Sequence, residues 1–380
     1  MLFHNARLVL GERLVPEGWL LTQQGRIAEI GWDQPLPEDT VDRVIDAEGA
    51  ILAPGMIDTH VHGALGHDTM DASPEGLREM ARFYARHGVT SFLATTMTAS
   101  HGAIMAALGC LAGVMAEGTG GATLVGAHVE GPYVDLDRRG AQAADQVRRA
   151  SPQESRELLE TGVARCITLA PEFPENQQLI VEAVRQGVAV SLGHSRADAQ
   201  EVARAVALGA SQVTHLYNGL EPMHHRRPGV VGAALTLPGL RCQLIADNVH
   251  VDPVMLDLAY RAKGADGIIL ITDAMAGAGM PDGRYHLGES EVIVQKGEAR
   301  LPEGNLAGST LTLERAVRNM MAACGLTLPQ ALRMASETPA RACGLSDRGR
   351  LVVGARADLI LVDDGMNVRT TVVGGEVVVG

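Results

Sequence analysis

The chain is predicted to be an α/β protein: a (β/α)8 TIM-type barrel with a small β-sandwich domain formed from both chain termini. Three observations carry this. Apolar strand candidates alternate with helical stretches through the middle of the chain. Short, turn-rich strands occupy both ends. Histidines and carboxylates recur where the middle strands finish, the edge at which such barrels hold their chemistry. The length of 380 residues exceeds one ordinary domain but fits a barrel of roughly 250 residues plus a companion.

The first fifty residues contain RLVL, GWLLTQQ, RIAEIGW and DRVIDAEGA, brief segments that alternate apolar with polar. The last thirty contain GRLVVGARADLILVD and VRTTVVGGEVVVG, of the same character. Pairing of the two ends places the small domain at 1–53 plus 345–380, and the barrel at 54–344. Eight strands are expected at 56–62, 90–96, 123–130, 164–171, 188–194, 211–217, 241–250 and 267–273. Helices are expected between most of them, as at 74–87, 176–186, 197–208 and 253–262, with two more near 311–323 and 328–336. The connection 219–240 reads as irregular.

Composition narrows the partners. Hydrophobic residues make up 46% of the chain and aromatics 3%, so the core is aliphatic. The formal net charge is −13 and no basic tract occurs, which disfavours nucleic acid and acidic membranes. Five cysteines, an odd number without a CxxC pair, argue against a disulfide frame or zinc ribbon and fit a reducing cytoplasm. No signal peptide and no run of about 18 apolar residues is read.

In a strand, residues two apart share a face. His60 and His62 therefore point together, as do Leu124, Gly126, His128 and Glu130. Val188, Val190, Leu192 and His194 form a third such row, and Ile269, Ile271 and Asp273 a fourth. Apolar or small residues fill the interior, and a polar group appears at the mouth. Imidazole and carboxylate suit a divalent ion, which lowers the pKa of bound water. A carboxylate not bound to the main ion can then carry protons, and Asp273 is the candidate. Singly, each residue has a plainer reading: a structural histidine, a backbone-capping Asp273, a turn residue Glu130. Their recurrence at the ends of strands one, three, five, six and eight decides for a metal site. His128, beside Glu130, reads as support rather than ligand. His224 and His225 are adjacent and diverge, so they read as loop residues near substrate. His67, His87, His101 and His286 read as surface or structural.

The segment PGMIDTHVHG resembles the first strand of the amidohydrolase superfamily. In several of its families a carbamylated lysine bridges two metals, but the only lysines here, Lys263 and Lys296, lie far from the strand ends. Glu130 stands where such a bridge would be. GAHVEGPYV, SLGHS, THLYNGLEPMHHRRPG, IADNVHVDP, LITDAMAGAG, NLAGSTLTL and ASETPARACGL follow in this order. Together they resemble the N-acetylglucosamine-6-phosphate deacetylase family from about Leu52 onward.

That resemblance implies an enzyme that removes the acetyl group of N-acetyl-D-glucosamine 6-phosphate. Glu130, His194 and His215 match its metal ligands, and Asp273 its catalytic acid/base. Asn218, Gly219, Arg226, His250 and the backbone of Leu306, Ala307 and Gly308 match its sugar-phosphate contacts. Ala141 and Gln142 match a further substrate segment, where some members carry histidine in place of Gln142. His60 and His62 would add a second ion, with Glu130 as the bridge. One or two divalent ions are implied, zinc first, with iron, manganese and cobalt as alternatives. A mouth histidine such as His128 would help to stabilise the tetrahedral intermediate. The resemblance also implies a homodimer whose interface completes the phosphate site. The galactosamine epimer, or another cyclic or N-acyl amide, is the alternative substrate.

Overall fold

The computed structural model describes residues 1–32, 34–36, 41 and 43–380; Asp42, which opens the DRVIDAEGA segment, lies outside them. Eight parallel strands pair in chain order: Met56–Val61, Val89–Thr96, Thr123–Glu130, Ala164–Leu169, Ala189–Leu192, Gln212–Val213, Arg241–Ile245 and Ile268–Ile271. A parallel bridge between Val61 and Ala274 brings the last strand back to the first, and the Asp273 N–H donates to the His60 carbonyl at 2.9 Å. Helices cover the outside, so strands such as Ile268–Ile271 are buried at every position. That explains their near-continuous apolar runs.

The helices begin where the sequence offers a start. Pro74–Arg86, Pro152–Glu160, Pro174–Arg185 and Pro253–Lys263 each have proline in their first turn, where its missing N–H has no partner to lose. Ala199–Ala207 opens with a capping box between Asp198 and Glu201. His101–Glu117 completes the set before the irregular connection.

The structure departs from or adds to the sequence reading in three places. Strands five to eight are shorter than expected, ending at Leu192, Val213, Ile245 and Ile271, because the chain turns over the barrel rim before the functional residues. The connection 219–240 contains a helix, Gly229–Thr236, with Gly229 to Ala234 buried. An all-apolar buried helix carries no 3.6-residue signal. Third, a three-stranded antiparallel sheet follows the eighth strand, Gly283–Leu287, Ser290–Gln295 and Glu298–Arg300. Its Leu287, Val292, Val294 and Ala299 pack on Met97, Met275 and Ala307 at the mouth.

The chain ends build one further sheet of eight strands. Glu376–Val379, Val368–Val373 and Leu359–Val362 lead to Ile51–Pro54, then to Leu2–Leu10, Arg13–Gln23 and Arg26–Gly31, with Val44–Asp46 beside the Leu2–Leu10 strand. One face closes on a core that includes Phe3, Leu8, Leu20, Leu52, Leu359 and Val372. The other puts Ile51, Ile360 and Val362 into the barrel's core. No described helix is long and apolar enough to cross a membrane.

Candidate active site

Two triads meet at the barrel mouth. In the first, Glu130 ends the third strand, and His194 and His215 sit two residues beyond strands five and six. Glu130 Oε1 lies 3.2 Å from His194 Nε2 and 3.1 Å from His215 Nε2, and the two imidazole nitrogens are 3.1 Å apart. In the second, Asp273 Oδ1 lies 3.3 Å from His60 Nε2 and 3.2 Å from His62 Nε2, and those nitrogens are 3.3 Å apart. Glu130 faces both triads: Oε2 is 3.3 Å from His62 Nε2, and Oε1 is 3.5 Å from His60 Nε2.

Fixed tautomers test whether a metal fits. His194 Nδ1 donates to the Arg138 carbonyl at 2.8 Å and His215 Nδ1 to the Asn218 carbonyl at 3.0 Å. A carbonyl only accepts, so both Nε2 atoms present lone pairs to one another and to a carboxylate oxygen. For His60 the direction is set by a chain of side chains. Gln212 Nε2 donates to the Ala342 carbonyl, Gln243 Nε2 to Gln212 Oε1, and His60 Nδ1 to Gln243 Oε1. In their neutral forms these three rings thus turn Nε2 lone pairs into the two triads, where a divalent ion or a proton satisfies them. Tetrahedral zinc with bonds of about 2.0–2.1 Å holds its ligand atoms roughly 3.3 Å apart, close to the six separations within the two triads. The residues fit a divalent ion at each triad.

The electrostatics make the same demand. Burial pushes the Glu130 carboxyl up, but His60, His194 and His215 together hold it well below the usual range. Burial also opposes ionisation of Asp273, yet His60 and His62 bring it down to about 2. Burial lowers His62, but Asp273 and Glu130 outweigh it and raise it to about 10. Two buried carboxylates require positive charge, which histidine protons or a divalent ion supply.

His128 is fully buried beneath His60, with ring centroids 4.5 Å apart. Its Nδ1 donates to the Thr59 carbonyl at 3.0 Å, and its Nε2 accepts from the Thr168 hydroxyl at 2.7 Å. Burial, reinforced by His60, drives its pKa well below the ordinary value. A neutral ring with both nitrogens engaged supports the floor of the site. It does not reach substrate, so the expected help to a tetrahedral intermediate is corrected.

A cavity of about 220 Å³ opens above the triads. Ala141, Gln142, Asn218, Gly219, His250, Leu306, Ala307 and Gly308 line it as expected. The ring of His250 is oriented by Asp247, whose Oδ2 accepts from Nδ1 at 2.7 Å. Arg226 lies elsewhere. With Arg196, Arg227 and His224 it borders a separate groove of about 740 Å³, and its guanidinium donates to His225 Nε2 at 2.7 Å.

Sequence reading missed several participants. Gln212 and Gln243 orient His60, and their signal is a glutamine inside an apolar strand. Asp58, fully buried, accepts from the Thr272 hydroxyl at 2.7 Å and ties the first strand to the eighth. Met97 and Leu287 line the cavity and carry no polar signal at all. The glycine of SLGHS has a steric cause: a Cβ on Gly193 would lie 2.7 Å from Thr168 and 2.8 Å from Thr214.

Residues 51–378 match the Amidohydrolase family model. The chain is 41% identical over 357 residues to an N-acetylglucosamine-6-phosphate deacetylase of Lysinibacillus sphaericus, covering 93% of this chain and 92% of the relative. It is also 41% identical over 368 residues to an N-acetylgalactosamine-6-phosphate deacetylase of Escherichia coli O157:H7, covering 96% of each. Among solved structures it resembles a mutant of the Mycobacterium smegmatis N-acetyl-D-glucosamine-6-phosphate deacetylase in complex with N-acetyl-D-glucosamine 6-phosphate. The TM-score is 0.93 at 33% identity, over 100% of this chain and 99% of that one. The chain belongs to the N-acetylglucosamine-6-phosphate deacetylase family of amidohydrolases.

Proposed function

We propose that this chain hydrolyses the acetamide of N-acetyl-D-glucosamine 6-phosphate, giving D-glucosamine 6-phosphate and acetate in amino-sugar breakdown. The carrying observation is the pair of triads, two carboxylates and four histidines converging under one cavity. Glu130, His194 and His215 would hold one divalent ion, with zinc the first choice for this donor set. His60 and His62 would hold a second. Such an ion supplies Lewis acidity to a carbonyl and acidity to water. Asp273, ionised and set between His60 and His62, accepts the proton of the attacking water. It then returns that proton to the amine nitrogen, a poor leaving group until protonated.

Barrel order orients the substrate. Met97 follows the second strand, whereas Asn218 and His250 follow the sixth and seventh, so the apolar and polar ends of the cavity lie across the mouth from each other. The phosphate goes to His250 and Asn218, and the acetyl methyl to Met97 and Leu287. Gly219 and the backbone of Ala141, Leu306, Ala307 and Gly308 flank the sugar. Arg226 completes the phosphate site from a second copy of the chain, which accords with its place outside the cavity of its own subunit and makes the enzyme a homodimer. The five free cysteines accord with a cytoplasmic location. The galactosamine epimer is a second reading, favoured by the 41% identical relative that carries that name.

The test is Asp273→Asn with ion content measured in parallel, on a panel of both epimers with and without the 6-phosphate. We expect kcat to fall about 10²–10⁴-fold with ion retained, the usual contribution of a positioned acid/base. Undiminished turnover in the ion-loaded variant would remove Asp273 from the proton transfer. Equal rates without the phosphate would remove the substrate assignment.

A further inference from the structure

We propose that Gln142 is a positioning residue for Glu130: it selects the carboxylate oxygen that faces His194 and His215, and so sets the ion affinity of that triad. The terminal torsion of a glutamate is broad and roughly two-fold, so its orientation must be imposed from outside. Gln142 is 5% exposed. Its Oε1 accepts the Thr98 backbone N–H at 2.7 Å. A backbone N–H can only donate, so the amide has one sensible orientation, with Nε2 toward Glu130. That Nε2 donates to Glu130 Oε2 at 2.7 Å.

The carboxylate is thereby divided. Oε1 is left to the two histidines at 3.2 and 3.1 Å. Oε2 carries a charge-assisted bond in a buried position, the stronger class of hydrogen bond. A donor on Oε2 withdraws electron density from it and disfavours chelation by both oxygens. Gln142 therefore keeps Glu130 a one-oxygen ligand, and both of its amide atoms are engaged before any substrate arrives. Thr98 follows the second strand and Glu130 ends the third, so this amide also ties two neighbouring rim segments together. The inference rests on Glu130 as an ion ligand, not on which sugar is hydrolysed.

Gln142→Leu removes the donor at similar volume. Ion-free enzyme is titrated with zinc against a chromophoric chelator, with the thermal stability of the ion-free protein and KM at saturating zinc measured alongside. Partners that orient a ligand are typically worth 10–100-fold in affinity, and we expect zinc binding to weaken by that factor. Cobalt-loaded variant should absorb more weakly in the visible than cobalt-loaded wild type, as Glu130 turns toward two-oxygen chelation and coordination number rises. Wild-type zinc affinity in the folded variant overturns the proposal. So does a raised KM with unchanged affinity, which would make Gln142 a substrate contact. Absence of zinc binding by the wild type would overturn the ligand reading of Glu130 itself. If the leucine variant is insoluble, Gln142→Met carries the same test.

Discussion

Gln243→Leu probes the layer beneath the site without touching it. Gln243, Gln212 and His60 are all fully buried, and their hydrogen bonds run in one direction from the Ala342 carbonyl. Leucine nearly matches the volume of glutamine, so little cavity forms. It leaves the His60 Nδ1–H without an acceptor and Gln212 Oε1 without a donor. Each unsatisfied buried group costs about 1–3 kcal/mol, so the folded state should lose about 2–6 kcal/mol. His60 also becomes free to take the other tautomer, with its proton on Nε2 facing the ion position. Ion affinity at the His60–His62 side should fall by about 10–100-fold. Urea unfolding of chelator-treated protein reads the first effect, and zinc titration with stoichiometry reads the second. Gln243→Glu keeps an acceptor for His60 and should retain more of the affinity, at the expense of a buried charge. If Gln243→Leu binds its full ion complement with wild-type affinity, the orienting chain plays no part in metal binding.

Two further outcomes are expected. In ion-free enzyme His62 is raised to about 10 from an ordinary value of 6.5. A pKa higher in the folded than in the unfolded state stabilises the fold fully below about pH 6.5, and this contribution is lost as pH rises through about 10. The Tm of chelated enzyme should therefore drop across that window, and zinc should flatten the slope by displacing the proton; a flat profile in chelated enzyme would contradict it. Met97→Ala opens the apolar end of the cavity, so the ratio of kcat/KM for N-propionyl over N-acetyl substrate should rise about 10-fold or more, the worth of one methylene. An unchanged ratio in folded variant would place the acyl group elsewhere.

The barrel was legible because its strands are buried on both faces and separated by well-marked helix starts. The site was legible because a histidine or carboxylate at the end of an apolar strand stands out against its neighbours. What stayed hidden lacked that contrast. Helix Gly229–Thr236 is apolar on every side, so its sequence has no face to read. Met97 and Leu287 look like any core residue. Gln212, Gln243 and Gln142 act through bonds to residues at least twelve positions away, a relation that no local pattern records. Arg226 was marked by resemblance, and only the fold reveals that its own cavity is not the one above the triads.

Backbone conformation explains why the strands had to end early. His194, His215 and Asp273 have φ of 47°, 29° and 52°, a left-handed region that L-residues enter at about 1–3 kcal/mol each. Three such residues in one site persist only if their surroundings hold them. Each is gripped by its own backbone: the His194 carbonyl accepts the Asp135 N–H at 2.8 Å, the His215 carbonyl the Asn218 N–H at 2.9 Å, and the Asp273 carbonyl the Ser309 N–H at 2.7 Å. The Asp273 N–H in turn uses the carbonyl of His60, itself a member of the same triad. A continuing strand would send alternate side chains to opposite faces and would commit those backbone groups to a ladder. By leaving the strand two residues before each functional side chain, the chain frees the backbone for these bonds and turns three side chains from separate strands toward a common centre. The strain is local, and the bonds that hold it are the same ones that fix the distances between ligand atoms.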